Sequence, residues 1–427
     1  MNIHFQTLGC KVNQYESAAL GELFLQNGFT VNSEENADII IINSCTVTAE
    51  SDRKTRQLIR KQKKLYPQAI IVLTGCMAQA FPEKSNDIPE VDIIAGNRDS
   101  ANILTLLEEY LKNRERIACV PRHETGDKYI TPSISAFPER TRAYMKIEDG
   151  CDRFCSYCII PYARGRVRSR NIEDIKKEAQ RLSENGFCEI VLVGINLSAY
   201  GKDTEFNLCD AVDAICEIEG IKRVRLGSLE PDHITDGMLE RFKAQEKFCP
   251  QFHLSLQSGC DATLKRMNRH YDSAFYLDLI TRIRNIFSDA SITTDIMVGF
   301  AGETEEEFKE NLAFAEKAQF ARAHIFAYSR RSGTVAAALT GQVTNAEKQR
   351  RARLMADITT KSEALFLKGL CGKTLSVLFE TEKNGIYEGY TKNYSRVEVK
   401  SEENITGKIL NVKILDSDNE KCFGEIV

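Results

Sequence analysis

Cys151-Asp152-Arg153-Phe154-Cys155-Ser156-Tyr157-Cys158 holds three thiols in eight residues, separated by three residues and then by two. Thiolates are soft ligands that suit iron–sulfur clusters or zinc. Three of them on one short loop hold three irons of a four-iron cluster and leave the fourth iron open. An open coordination position is where a catalytic metal binds and activates a ligand. Zinc would call for a fourth protein ligand, and none is close: the next cysteine is Cys188. A chance grouping of cysteines and half of a zinc ribbon are the plainer alternatives.

Outward from this loop a strand-and-helix pattern repeats six times. Candidate strands are Ala143–Ile147, Glu189–Val193, Arg223–Gly227, Phe252–Leu256, Ile292–Val298 and Ala323–Ala327. Helical segments between them are Asn171–Asn185, Asn207–Glu217, Thr235–Ala244, Tyr271–Phe287 and Thr304–Lys317. Six units are too few for a closed eight-stranded barrel and predict an open, partial (β/α)6 barrel. Such barrels carry their chemistry at the C-terminal strand ends, and the cysteine loop follows the first strand.

The thiol spacing, with Tyr157 just before the last cysteine, resembles the signature of radical S-adenosylmethionine (SAM) enzymes. On that reading the other strand ends offer groups for SAM: Gly194 and Asn196 after the second strand, Ser228 and Glu230 after the third, Gln257 after the fourth and Asp295 within the fifth. Gly194 allows close backbone approach, and Gln257 offers amide contacts. Arg269 is a guanidinium fork for a ligand carboxylate. Taken singly, Glu230 and Arg269 read more readily as surface or ion-pair residues; as part of a ring of strand-end polar groups around a cluster they read as ligand contacts.

Before the barrel, residues 1–100 alternate strands and helices, which predicts a doubly wound parallel sheet. Strands fall at Asn2–Leu8, Asp38–Asn43 and Ala69–Thr74, and helices at Asn13–Asn27, Glu50–Tyr66 and Leu104–Arg116. Cys10, Cys45 and Cys76 each follow one of the three strands. In an open parallel sheet these ends share one edge, so thiols far apart in sequence converge and form a second metal-binding group. Each alone reads as a small buried hydrophobe. The basic run Ser51–Lys64 is either a solvated face or a phosphate contact. Residues 118–140, rich in Pro, Ser, Thr and charge, read as a linker.

Leu8-Gly9-Cys10-Lys11-Val12-Asn13-Gln14-Tyr15-Glu16-Ser17, Asn43-Ser44-Cys45-Thr46-Val47-Thr48 and Thr74-Gly75-Cys76-Met77-Ala78-Gln79 resemble the three blocks of the methylthiotransferase family, and Leu254-Ser255-Leu256-Gln257-Ser258-Gly259 agrees. Gly-Cys-Lys-Val-Asn-Gln resembles the MtaB-type branch, which modifies N6-threonylcarbamoyladenosine beside the tRNA anticodon. The branches acting on dimethylallyl-adenosine and on a ribosomal-protein aspartate differ there. One departure is Gly299-Phe300-Ala301-Gly302-Glu303, where the family has proline in place of Ala301.

The resemblance implies a division of labour. Cys151, Cys155 and Cys158 would hold the [4Fe–4S] cluster that binds SAM; Cys10, Cys45 and Cys76 would hold an auxiliary [4Fe–4S] cluster that presents sulfur. Two SAM would be used to place a methylthio group on adenine C2 at tRNA position 37, with an electron donor such as flavodoxin or ferredoxin. Arg164, Arg166, Arg168 and Arg170 fall at alternate positions, a stripe on one face if extended, and are candidate contacts to the tRNA anticodon stem-loop; Lys348-Gln349-Arg350-Arg351 adds to them.

The last segment, 365–427, reads as five short strands with a hairpin signal at Asn384-Gly385. It predicts a small β-barrel, a TRAM-like RNA-binding domain on the resemblance and a plain interaction barrel otherwise. The domain reading is therefore 1–117, linker 118–140, 141–364 and 365–427. Composition is that of an ordinary soluble globular protein: 42% hydrophobic, 28% charged and net charge −4, so no global field marks a nucleic-acid binder. Fourteen cysteines without a secretory start read as ligands and reduced thiols in a cytoplasmic protein. The other eight (Cys119, Cys188, Cys209, Cys216, Cys249, Cys260, Cys371, Cys422) share no spacing and read as packing residues. An RNA-binding protein with structural metal is the non-enzymatic alternative.

Overall fold

The computed structural model describes residues 1–31, 36–98, 100–135 and 141–427. Its first unit is a six-stranded, all-parallel sheet in the order Thr30–Val31, Asn2–Thr7, Ile39–Ser44, Ile70–Gly75, Ile93–Ala95, Ile117–Cys119. The run Ile39-Ile40-Ile41-Ile42 is unbroken because both faces are covered. Ile39 and Ile41 join one core with Phe24 and Leu107; Ile40 and Ile42 join the other with Ile59. The chain passes from Asn2–Thr7 outward to Thr30–Val31 and then returns to the other side with Ile39–Ser44. That reversal makes a crevice at the carboxyl ends of Asn2–Thr7 and Ile39–Ser44. Cys10 and Cys45 flank it.

The three-residue strands Ile93–Ala95 and Ile117–Cys119 were too short for apolar patterning to announce. The second begins before residue 118, so the sheet runs into the stretch read as linker. Beyond it the chain is still tied down: Gln79 Nε2 donates to Pro121 O at 2.9 Å, Tyr129 Oη to Lys146 O at 2.7 Å, and Ile134 is fully buried. Residues 136–140 of that stretch lie outside the described residues.

Six parallel strands follow in chain order: Arg142–Lys146, Glu189–Val193, Arg223–Leu226 (resuming as Ser228–Leu229), Gln251–Leu254, Ser291–Val298 and Arg322–Ala327. The first and last are not paired to each other, so the barrel stays open. The helix Asn345–Lys368 packs against the last strand and crosses the 364/365 boundary. The final unit is a closed five-stranded barrel, with Asn384 and Gly385 both at positive φ in its hairpin turn. It docks on the amino ends of the middle strands. Arg223 Nη1 donates to Tyr390 O at 2.9 Å, and Arg225 Nη1 to Lys392 O at 2.8 Å.

Charged side chains buried between the first and middle units set their relative placement. Tyr15 Oη donates to Glu178 Oε2 at 3.0 Å, and Arg170 Nη2 reaches the same oxygen at 2.7 Å. Glu16 accepts from Lys146 Nζ at 2.7 Å and from Arg164 Nη2 at 2.9 Å, and Lys146 also holds Asp149 at 2.8 Å. Burial opposes charge on Asp149, but Lys146, Arg164 and Arg168 overcome it and hold this carboxyl below the usual range.

Removing one partner of such a pair strands the other. Arg170→Ala leaves Glu178 charged and fully buried, with an expected loss of about 3–5 kcal/mol. Arg166→Ala, at an exposed side chain, is expected to cost at most about 1 kcal/mol. Denaturant unfolding of the two variants checks the contrast.

Candidate active site between two groups of cysteines

The Cys151–Cys158 loop is pinned at several points. Cys151 N donates to Gly165 O at 3.0 Å, Ser156 N to Met267 O at 3.0 Å, and Ser156 Oγ to Arg266 O at 2.8 Å. Gly150 starts it at φ +94°, and a Cβ there would stand 1.9 Å from Arg166 O, so only glycine fits. Burial pushes the Cys151 thiol up to about 12, and burial together with the neighbouring Cys155 pushes Cys158 up as well. A neighbouring cation such as a metal would favour the thiolate form of each.

Around the loop stand the strand-end residues. Glu148 is fully buried, with its carboxyl raised well above the usual range by burial. Its Oε2 accepts from Asn196 N at 2.7 Å, and Asn196 Nδ2 lies 3.8 Å from Cys151 Sγ. Gly194 passes beneath the same carboxyl: a Cβ would meet Glu148 Oε2 at 2.6 Å. Gln257 sits at φ +67° and donates its N–H to Asp295 O at 2.9 Å. Tyr157 packs edge-on against Phe300. Arg269 Nη1 lies 3.3 Å from Cys155 Sγ and 3.2 Å from Glu230 Oε1. Glu230 and Arg269, read from sequence as separate ligand contacts, are thus paired with each other, and Arg153 also faces Glu230 at 3.4 Å.

The second group forms at the sheet edge. Cys10 caps the helix Lys11–Gln26, and Cys76 begins the helix Cys76–Ala80. Gly9 (φ +121°) comes so near Cys45 that a Cβ would stand 2.9 Å from the Cys45 Cβ. Asn13 Nδ2 ties the helix start to Asn43 Oδ1 at 2.9 Å and Ser44 O at 3.1 Å. Burial raises the Cys10 thiol and takes that of Cys76 up to about 12; Arg164 opposes both, while the sulfurs of this group reinforce one another. Among the described residues no three His, Cys, Asp or Glu side chains close on one point as a single ion requires.

Cys10 opens on a cavity of about 440 Å³ that runs along the barrel strands. Its wall includes Cys10 from the sheet edge, Gly194, Ser228 and Asp295 from the barrel, and Tyr394 from the C-terminal barrel. The helix Ile160–Arg164, which follows Cys158, packs on Cys76–Ala80, and Arg164 Nε donates to Cys76 Sγ at 3.2 Å.

The chain has relatives among known proteins. Residues 2–96 match the uncharacterized protein family UPF0004, and residues 145–315 match the radical SAM superfamily. The chain is 37% identical over 436 aligned positions to the threonylcarbamoyladenosine tRNA methylthiotransferase MtaB of Bacillus subtilis, covering 100% of this chain and 97% of that one. It is 35% identical to a tRNA-2-methylthio-N(6)-dimethylallyladenosine synthase of Clostridium botulinum, covering 98% and 96%. The chain belongs to the radical SAM tRNA methylthiotransferases. A solved radical SAM methyltransferase, TsrM from Kitasatospora setae, shares the fold at TM-score 0.59 and 12% identity, over 79% of this chain and 74% of that one.

Three of the four arginines read as an RNA stripe are not available in this methylthiotransferase. Arg164, Arg168 and Arg170 do share a face, and it is the buried one, where Glu16, Asp149 and Glu178 hold them. Arg166 alone is exposed, lying over the Phe154 ring at 4.7 Å. In the second basic run, Lys348 donates to Tyr328 O and Arg351 is buried against Glu303 and Glu347, which leaves Arg350 outside. The helix Ala49–Leu65 does expose Arg53, Lys54, Arg60, Lys61 and Lys64. Sequence reading missed Glu148, whose only signal is its place three residues before Cys151, and Tyr394, which has none. Ala301, where the family has proline, is fully buried, and Glu303 still closes the turn by accepting from Phe300 N at 3.0 Å.

Gly150→Ala drives a Cβ into Arg166 O and is expected to remove about half of the roughly eight irons that two four-iron clusters bring to a chain. Iron analysis after anaerobic reconstitution checks it.

Proposed function

We propose that the chain methylthiolates C2 of N6-threonylcarbamoyladenosine at position 37 of tRNA, beside the anticodon. The observation that carries this reading is the shared cavity, on which Cys10 opens together with Gly194, Ser228 and Asp295. The full-length likeness to MtaB of Bacillus subtilis supports the choice of substrate. Cys151, Cys155 and Cys158 would hold one [4Fe–4S] cluster, and Cys10, Cys45 and Cys76 the other. When bound, the clusters and two SAM supply reductive cleavage, hydrogen abstraction and the sulfur.

The chain's own residues position and shield. Asn196, Ser228, Gln257 and Asp295 line the SAM side, Gly194 lets the ligand approach the backbone, and Tyr157 packs the floor beneath the loop. Arg269 and Glu230 brace Cys155; Arg164 braces Cys76. The exposed face of Ala49–Leu65 and Arg166 would meet the phosphates of the anticodon stem-loop, whose loop bases splay out readily. A flavodoxin- or ferredoxin-like donor in the cytoplasm would supply electrons.

The likeness to dimethylallyladenosine synthases keeps that base as the second reading. Mass spectrometry of tRNA nucleosides from a deletion strain separates them: loss of 2-methylthio-N6-threonylcarbamoyladenosine alone is expected, and its persistence would contradict the proposal. Cys155→Ala is expected to abolish SAM cleavage, whereas Cys45→Ala should keep cleavage and lose methylthiolation; 5′-deoxyadenosine and product nucleoside are measured side by side.

A further inference from the structure

The cavity on which Cys10 opens carries more positive than negative charge. Its cationic lining is Lys11 and Arg322, with the His253 and His324 rings beside them, against one carboxylate, Asp295. Asp295 already faces His253 Nε2 at 3.4 Å, and His253 Nδ1 meets Thr293 Oγ1 at 3.0 Å. Arg322 is exposed and faces Glu363 at 3.9 Å. The arginines behind the wall are satisfied as well: Arg142 pairs with Glu380 and Arg225 with Glu189. Lys11 differs: Tyr394, Arg142, Arg225 and Glu189 act on it from a distance, and none is an ion-pair partner. Among the described residues no carboxylate stands within ion-pair distance of its Nζ, which lies 5.7 Å over the Tyr144 ring. Lysines drawn into a protein wall are ordinarily paired, and this one faces a space of about 440 Å³, the size of a small-ligand site.

The geometry points to Lys11 as the residue that recognises the carboxylate borne by the side chain of the target nucleobase. This assignment rests on the threonylcarbamoyl reading above. In that base the N–H on the threonine side of the ureido group closes a six-membered hydrogen-bonded ring on adenine N1. The ring swings the threonine carboxylate toward the C2 edge, where sulfur is to be attached. A cation next to Cys10 meets the carboxylate on that edge, and an adenosine with an apolar substituent leaves the cation buried without a partner. SAM also has a carboxylate, but Lys11 follows Cys10 directly, and none of Cys151, Cys155 and Cys158 is on the wall of the cavity it lines.

The test uses the anaerobically reconstituted full chain and synthetic anticodon stem-loops carrying threonylcarbamoyladenosine, its carboxamide, or unmodified adenosine, with affinity read by fluorescence anisotropy. The wild type is expected to bind the acid about tenfold or more tighter than the carboxamide, as charge-assisted bonds do. Lys11→Gln should erase that difference, and Lys11→Arg should restore part of it. Equal wild-type affinities for acid and carboxamide would overturn the assignment without any substitution, as would a Lys11→Gln variant that still tells them apart or that weakens SAM affinity instead. A wild type that does not distinguish threonylcarbamoyladenosine from adenosine would overturn the substrate reading itself.

Discussion

The buried ion pairs that Glu16 makes with Lys146 and Arg164 hold the rest of this structure in place. They join a helix that starts at one cysteine of the sheet edge to the strand and short helix that flank the other cysteine group. A buried pair of this kind contributes little net stability, because desolvation offsets attraction, but breaking it is costly. Its effect here is on geometry. The sheet and the barrel fit together so that Glu16 is met by Lys146 and Arg164 from the other side of the joint, and the same joint brings Arg164, just after the Cys151–Cys158 loop, against Cys76 at the sheet edge.

Glycine makes the close approaches at both cysteine groups. Gly9 and Gly150 lie beside thiols at positive φ, where a side chain would strike Cys45 or the backbone of Arg166. The C-terminal barrel takes part as well. Tyr394 sits at φ +67°, stacks on Tyr390 and meets Arg142 and Arg225 at 5.0 and 4.7 Å. A domain read from sequence as an RNA-binding or interaction barrel therefore contributes to the wall of the cavity on which Cys10 opens.

Much of this was legible in sequence, for physical reasons. Strands covered on both faces announce themselves as apolar runs such as Ile39–Ile42, and parallel connectivity places their following residues on one edge, which is how Cys10, Cys45 and Cys76 could be grouped before any coordinates. What escaped depends on partners distant in the chain. Alternation showed that Arg164, Arg168 and Arg170 share a face, but only Glu16, Asp149 and Glu178 decide that the face is inward. Glu230 and Arg269 could not be matched from spacing, nor could the left-handed turn that brings Tyr394 to the cavity. Three-residue strands such as Ile93–Ala95 carry too few positions for periodicity to be read.

The most direct measurement is iron-edge anomalous diffraction from crystals of the reconstituted enzyme grown without oxygen. The account predicts two iron clusters, one at Cys151, Cys155 and Cys158 and one at Cys10, Cys45 and Cys76, with the Lys11-lined cavity between them. Iron at the first group alone, or a second cluster turned away from that cavity, would contradict it.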